Sequence, residues 1–108
     1  DKAVSVGEQS SLTGRQLRIV DVGTGIVSKD GSQTRVDGVT FGKTQHYEVM
    51  AYSKKPQYGP AMLFVDNALA DQKIRSIAQK KSTLRLNGET TPTQKLNVDA
   101  LYDGYMAK

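Results

Sequence analysis

The sequence predicts a mainly β fold, a small five- to six-stranded barrel with one α-helix. Two observations predict it. Short segments of alternating apolar and polar residues recur along the 108-residue chain, separated by turns built on Gly, Pro and Asp. Among them, one stretch from Ala68 to Lys80 carries its apolar residues at helical spacing. A few strands interrupted once by a short helix fit a sheet curled on itself, with the helix plugging one end.

Residues 1–13 are polar and aperiodic and read as a flexible N-terminal arm; the barrel domain then covers 14–103, and 104–108 form a frayed tail. Alternation begins at Gln16, where Leu17 and Ile19 point one way and Arg18 and Val20 the other. This strand continues through Gly23-Thr24-Gly25 to Val27, the glycines marking a bend. Lys29-Asp30-Gly31-Ser32 is a turn signal, because Asp-Gly readily adopts positive φ at a hairpin. Strands follow at Thr34–Phe41 and His46–Tyr52, the second with Tyr47, Val49 and Ala51 on one face.

Pro56, Gly59 and Pro60 interrupt any ladder and make 54–60 a loop. Ala61–Val65, the longest apolar run, is a short buried strand with Phe64 in the core. Asp66 or Asn67 caps the helix. Ala70, Ile74, Ile77 and Ala78 form its apolar stripe, and Ile74 and Ile77 plug the barrel beside Leu84 and Val98. The last two strands are Thr83–Asn87, ending at the Asn87-Gly88 turn, and Lys95–Tyr102, with Leu96, Val98, Ala100 and Tyr102 on one face.

Composition bounds the chemistry. A length of 108 residues is one domain, and no apolar run approaches the roughly 20 residues of a transmembrane helix. With no cysteine, disulfides, thiol nucleophiles and Cys-based zinc sites are excluded. Gly23-Thr24-Gly25 lies between strand-like runs without opening a helix, so it reads as a bent strand and not as a phosphate loop. His46, the single histidine, has no nucleophile-elbow pattern or ligand-spaced carboxylate with it, and the acidic residues are scattered beside turns. The reading is therefore a non-enzymatic module with no cofactor and no metal.

The informative set is basic and aromatic. Net charge is +4, and Arg35, Lys43, Lys54, Lys55 and Arg85 supply cations while Phe41, Tyr52 and Tyr58 supply flat rings. Cations that follow phosphates and rings that stack on bases are how single-stranded nucleic acid is held. These eight residues are the expected nucleic-acid-binding set, with Lys54-Lys55 beside Tyr58 as its local focus. The alternative is a structural or protein-interaction domain of an exported bacterial protein, meeting its partner through a sheet edge or loop. Nucleic-acid binding places the protein in the cytoplasm; a signal peptide removed before Asp1 places it in the periplasm or outside the cell.

The order of elements resembles the OB-fold. Ala61–Val65, the helix, and Ser82-Thr83-Leu84-Arg85-Leu86-Asn87-Gly88 look like the second half of small bacterial OB domains, some of which resemble tRNA-anticodon-binding modules while others occur as exported lipoproteins. The resemblance spans roughly residues 15–102. It implies a five-stranded Greek-key barrel whose ligand lies across the second and third strands, a face that would include Arg35, Thr40, Phe41, Tyr52 and the Lys54–Tyr58 loop.

Overall fold

The structure, a computed structural model, describes residues 2–103, with side chains through 101. Ten strands and one helix follow in order: β1 (Lys2–Val6), β2 (Ser11–Ile19), β3 (Thr24–Lys29), β4 (Gln33–Phe41), β5 (Val49–Tyr52), β6 (Met62–Ala70), β7 (Ser76–Gln79), β8 (Thr83–Leu86), β9 (Glu89–Thr90), β10 (Thr93–Gln94) and α1 (Val98–Asp103). The first sheet has the order β1-β3-β5-β7-β10 and the second β2-β4-β6-β8-β9. Through β8 the chain alternates between them, so a strand's hydrogen-bonded neighbour is one full coil away. Among the described residues every strand pairing is parallel except that between β8 and β9. This is a parallel β-helix, a solenoid of stacked coils.

The mainly β class holds, but the described strands form two separate sheets and not a closed barrel. A Greek key needs antiparallel neighbours, and only the β8–β9 pair is antiparallel. The Asp30-Gly31 turn exists, with φ of 55° and 75°, yet it passes the chain from the first sheet to the second instead of closing a hairpin. Residues 2–6 and 11–13 are strand, so the expected N-terminal arm belongs to the sheets. The tail 104–108 lies outside the described residues.

The coil length is 22 residues at Lys2↔Thr24 and again at Ser11↔Gln33. The next turn of the second sheet spans Gln33↔Met62, because residues 53–61 are let out as a loop containing a 3-10 turn at Pro56–Tyr58. Side chains still stack in columns: Leu12, Thr34, Leu63 and Leu84 in one, Leu17, Val39 and Ala68 in another.

Each long strand of the second sheet turns a corner. Gln16, Gly38 and Asn67 stack with φ of 51°, 90° and 54°. One left-handed residue shifts the alternation by one step, so Val36 before the corner of β4 and Val39 and Phe41 after it all point inward. In the last coil Asn87 substitutes for a paired strand: its side chain accepts from Ala68 N (2.9 Å) and donates to Ala68 O (3.1 Å).

The core between the sheets contains Ile26, Val49, Ala51 and Ala78 from the first and Val36, Val39, Phe41, Leu63, Val65 and Leu84 from the second. It also holds hydroxyls. Thr34 donates to Ser28 (3.0 Å), and Ser32 donates to the Val6 carbonyl (2.9 Å). The Ser28 proton has Ser32 Oγ (2.7 Å) and the Met62 carbonyl (2.9 Å) as acceptors, so the buried oxygens are satisfied.

A second cluster covers the outer face of the first sheet. Val27, Met50, Tyr52 and Ile77 lie beneath Val98, with Leu96, Leu101 and Tyr47 packed around them. Strands buried on both faces read as continuous apolar runs, and all of Val49–Tyr52 is buried.

The helix expected over Ala68–Lys80 is instead the end of β6, a loop and β7. Its apparent stripe is divided between two faces: Ala78 and Ile74 pack into the inner core and Ile77 into the outer cluster. Pairing with β5 and β10 overrides the helical pattern. Conversely, the expected last strand is α1, whose Val98 and Leu101, three apart, both meet the outer cluster. No helix among the described residues is long and apolar enough to cross a membrane.

Leu63 is fully buried at the centre of its column. Leu63→Ala is expected to lower unfolding free energy by about 2–5 kcal/mol in urea titration. Leu69→Ala, at a side chain 67% exposed, should stay within about 0.5 kcal/mol.

Candidate functional site

Parallel stacking brings residues from distant coils onto one surface. On the outer face of the second sheet the register aligns Thr13, Arg35, Phe64 and Arg85. Arg35 reaches over the Phe64 ring from β4, 4.9 Å from its centroid, and Arg85 from β8, at 4.1 Å. Each cation–π contact is worth about 0.5–1 kcal/mol at an exposed site. Two strand spacings separate the guanidinium-bearing strands, roughly 10 Å. Among the described residues neither guanidinium makes an ion pair.

Two positions further along the strands runs a column of Arg15, Asp37 and Asp66. Asn67 donates from Nδ2 to Asp37 Oδ1 at 2.6 Å. Between the columns lies a shallow cleft of about 450 Å³ lined by Arg15, Arg35, Asp37, Phe64 and Asp66. The face thus offers fixed planar cations, one ring held between two of them, and a minority of carboxylates set to one side.

Of the eight expected site residues, Arg35 and Arg85 are brought together. Phe41 is 2% exposed and Tyr52 fully buried, so neither can meet a ligand. Phe41 points inward because it lies beyond the corner of β4, and Tyr52 faces the cluster beneath α1. Lys43 lies apart, beside a cleft of about 490 Å³ between residues 42–48 and 70–73.

Lys54, Lys55 and Tyr58 sit in the loop between β5 and β6. The Lys54 and Lys55 backbone amides donate to Asp30 Oδ1 at 2.8 and 2.7 Å, and Lys55 Nζ donates to Glu8 at 2.6 Å. The loop is tied to two turns of the preceding coils, and the Lys55 charge is matched. Sequence reasoning missed Arg15 and Phe64. The signal for Phe64 was present: it lies between Leu63 and Val65, both inward, so strand alternation turns it outward.

A second polar feature is a clamp between Glu48 and Arg75. Glu48, its side chain 6% exposed, accepts from Arg75 N (2.6 Å), Nε (3.2 Å) and Nη2 (2.8 Å). The guanidinium also donates to Thr44 O, Thr44 Oγ1 and Gln45 O. The hydrogen bond to Glu48 raises the Arg75 pKa, keeping it charged. The clamp fastens the loop before β5 to the one before β7. Among the described residues no group of three or more His, Cys, Asp or Glu is placed to hold a metal ion.

No protein-family model, no curated protein and no solved structure matches the chain.

Removing the cation of the clamp leaves a buried carboxylate unpaired, so Arg75→Ala is expected to cost about 1–3 kcal/mol of stability in thermal or urea unfolding. At the surface pair, the hydrogen bond and charge of Lys55 hold the Glu8 carboxyl below its ordinary 4.5. Glu8 raises the Lys55 pKa in turn. The pair's contribution is therefore present above the ordinary carboxyl value and lost as pH falls through the lowered one. It is lost again at high pH, as Lys55 deprotonates above its ordinary 10.5. An NMR titration should place the Glu8 midpoint below 4.5 and return it toward that value in Lys55→Ala.

Proposed function

We propose that the chain is a non-enzymatic binding module that holds single-stranded nucleic acid along the outer face of its second sheet. The observation that carries this reading is the Arg35–Phe64–Arg85 cluster, with two guanidinium groups over one ring and without carboxylate partners among the described residues. Planar guanidinium forks bind phosphate oxygens in pairs, and their positive charge is not tuned away near neutral pH. Phe64 acts by fixing the two arginines, which lowers the side-chain entropy lost on binding. Bases stack on guanidinium planes as they do on rings. Arg15 extends the positive surface toward the first coil, while Asp37 and Asp66 disfavour phosphate on their side and so confine the strand's path.

Fluorescence anisotropy of a labelled oligothymidylate, titrated with protein at several salt concentrations, tests the reading. Two to three neutralised phosphates should give a log–log salt slope of about −1.4 to −2. The double substitution Arg35→Ala/Arg85→Ala should reduce that slope by about 1.4 while the fold is retained by circular dichroism. Absence of binding at low ionic strength ends the proposal.

A further inference from the structure

Between the loop of residues 53–61 and the turn that carries the chain from β7 to β8 lies a cleft of about 260 Å³. It is strapped at both ends: Ser53 N donates to Gln79 Oε1 at 2.7 Å, and Ala61 N donates to Ser82 Oγ at 3.0 Å. The loop is also held through the Lys54 and Lys55 amides, both bonded to Asp30 Oδ1. Pro56 and Pro60 line the cleft from the loop, Gln79, Lys80 and Lys81 line it from the turn, and Ser53 lies where the two meet.

The polar side chains lining this cleft hold donors in excess. Among the described residues neither the Lys80 nor the Lys81 ammonium has a partner, and no carboxylate lines the cleft. Gln79 uses its Oε1 on Ser53 N, which leaves its Nε2 donor unmatched. Ser53 Oγ is, among the described residues, the one buried side-chain oxygen or nitrogen without a hydrogen-bond partner, a state that native structures avoid. The preceding turn of this corner has the opposite charge. The register Gln33↔Met62↔Thr83 makes Asp30-Gly31-Ser32 equivalent to Lys80-Lys81-Ser82. Both turns are closed by the same bond, Ser32 N to Lys29 O and Ser82 N to Gln79 O. Where the earlier turn has Asp30 and Gly31, the later one has two lysines, and Lys81 takes the φ of 75° that Gly31 adopts more readily.

We propose that this cleft is a binding site for a phosphate group, either free phosphate or the monoester of a small molecule. Two ammonium groups match its double negative charge, and the Gln79 amide and Ser53 hydroxyl donate to its remaining oxygens. The Ser53 hydroxyl gives up no hydrogen bond when it turns toward a ligand about its single side-chain bond. The volume lies below the roughly 300–1,000 Å³ of sites for drug-sized ligands, so the occupant is small. Pro56 and Pro60 offer apolar surface to the carbon atoms of an ester. The cleft shares no residue with the Arg35–Phe64–Arg85 face, so the two proposals stand or fall separately.

The test is an NMR titration of the chain with inorganic phosphate and, separately, with phenyl phosphate, at constant ionic strength. Saturable shifts of the Ser53, Gln79 and Lys81 amides are expected with both. Tighter binding of the ester assigns the cleft to a small phosphorylated molecule; equal or weaker binding assigns it to free phosphate. Lys80→Gln/Lys81→Gln should weaken phosphate binding about tenfold or more, whereas Lys43→Gln, which removes a charge elsewhere, should bind like the parent chain. Ser53→Ala should weaken binding about two- to tenfold without lowering the melting temperature, because the free protein loses no hydrogen bond. Shifts that do not saturate, or that acetate reproduces at the same ionic strength, overturn the proposal. So does a double lysine variant, folded by circular dichroism, that binds phosphate as tightly as the parent.

Discussion

The parallel hydrogen-bond ladder between successive coils is the constraint on which everything else depends. No strand in the main body pairs with its sequence neighbour; β2 finds its partner in β4, β4 in β6, and β6 in β8. Backbone groups that the turns leave unpaired are satisfied one coil away. The ladder tolerates length variation provided each column is regained. Residues 53–61 lengthen one coil, yet Leu63 still lies next to Thr34. Where the ladder ends, Asn87 reproduces its donor and acceptor with a side-chain amide.

Much of the local structure was legible in the sequence, because a strand with one inner face must alternate. The expected strand Thr34–Phe41 lies within β4, and the Asp30-Gly31 and Asn87-Gly88 turns stand as expected; of the expected strand His46–Tyr52 only Val49–Tyr52 is strand, with Tyr47 in the outer cluster and Val49 and Ala51 in the inner core. What alternation cannot convey is the partner. A turn that closes a hairpin and one that carries the chain to another sheet use the same residues, and here positive φ at Asp30 and Gly31 serves the second purpose. The repeat was hidden as well. Equivalent positions hold Leu12, Thr34, Leu63 and Leu84, and the intervals between them are unequal. The stripe Ala70, Ile74, Ile77, Ala78 satisfies helical spacing by coincidence, since its members belong to the end of β6, the loop after it and both faces of β7.

The candidate site was legible as a list of cations and illegible as an arrangement. Arg35 and Arg85 are far apart in sequence and become near neighbours only because β4, β6 and β8 are consecutive in one sheet. Membership of an all-apolar run points Phe64 to the core, although its neighbours Leu63 and Val65 already claim the inside. In a solenoid the outward side chain of one coil is packed by those of the coils on either side of it. An aromatic ring between two guanidinium groups is such a packing, and it turns two flexible cations into a fixed pair.

The segment that lies over the first sheet bears on how the chain reaches its native state. Most contacts join one coil to the next, so structure can spread along the solenoid from wherever it first forms. Val98 is different, because it joins a cluster with Val27, near the opposite end of the sequence. A six-residue helix has little stability of its own, so it gains order only once β3, β5 and β7 have assembled the apolar surface that receives it. Its docking is thus the late, non-local event in folding, and until it occurs the outer face of the first sheet stands open to misassociation.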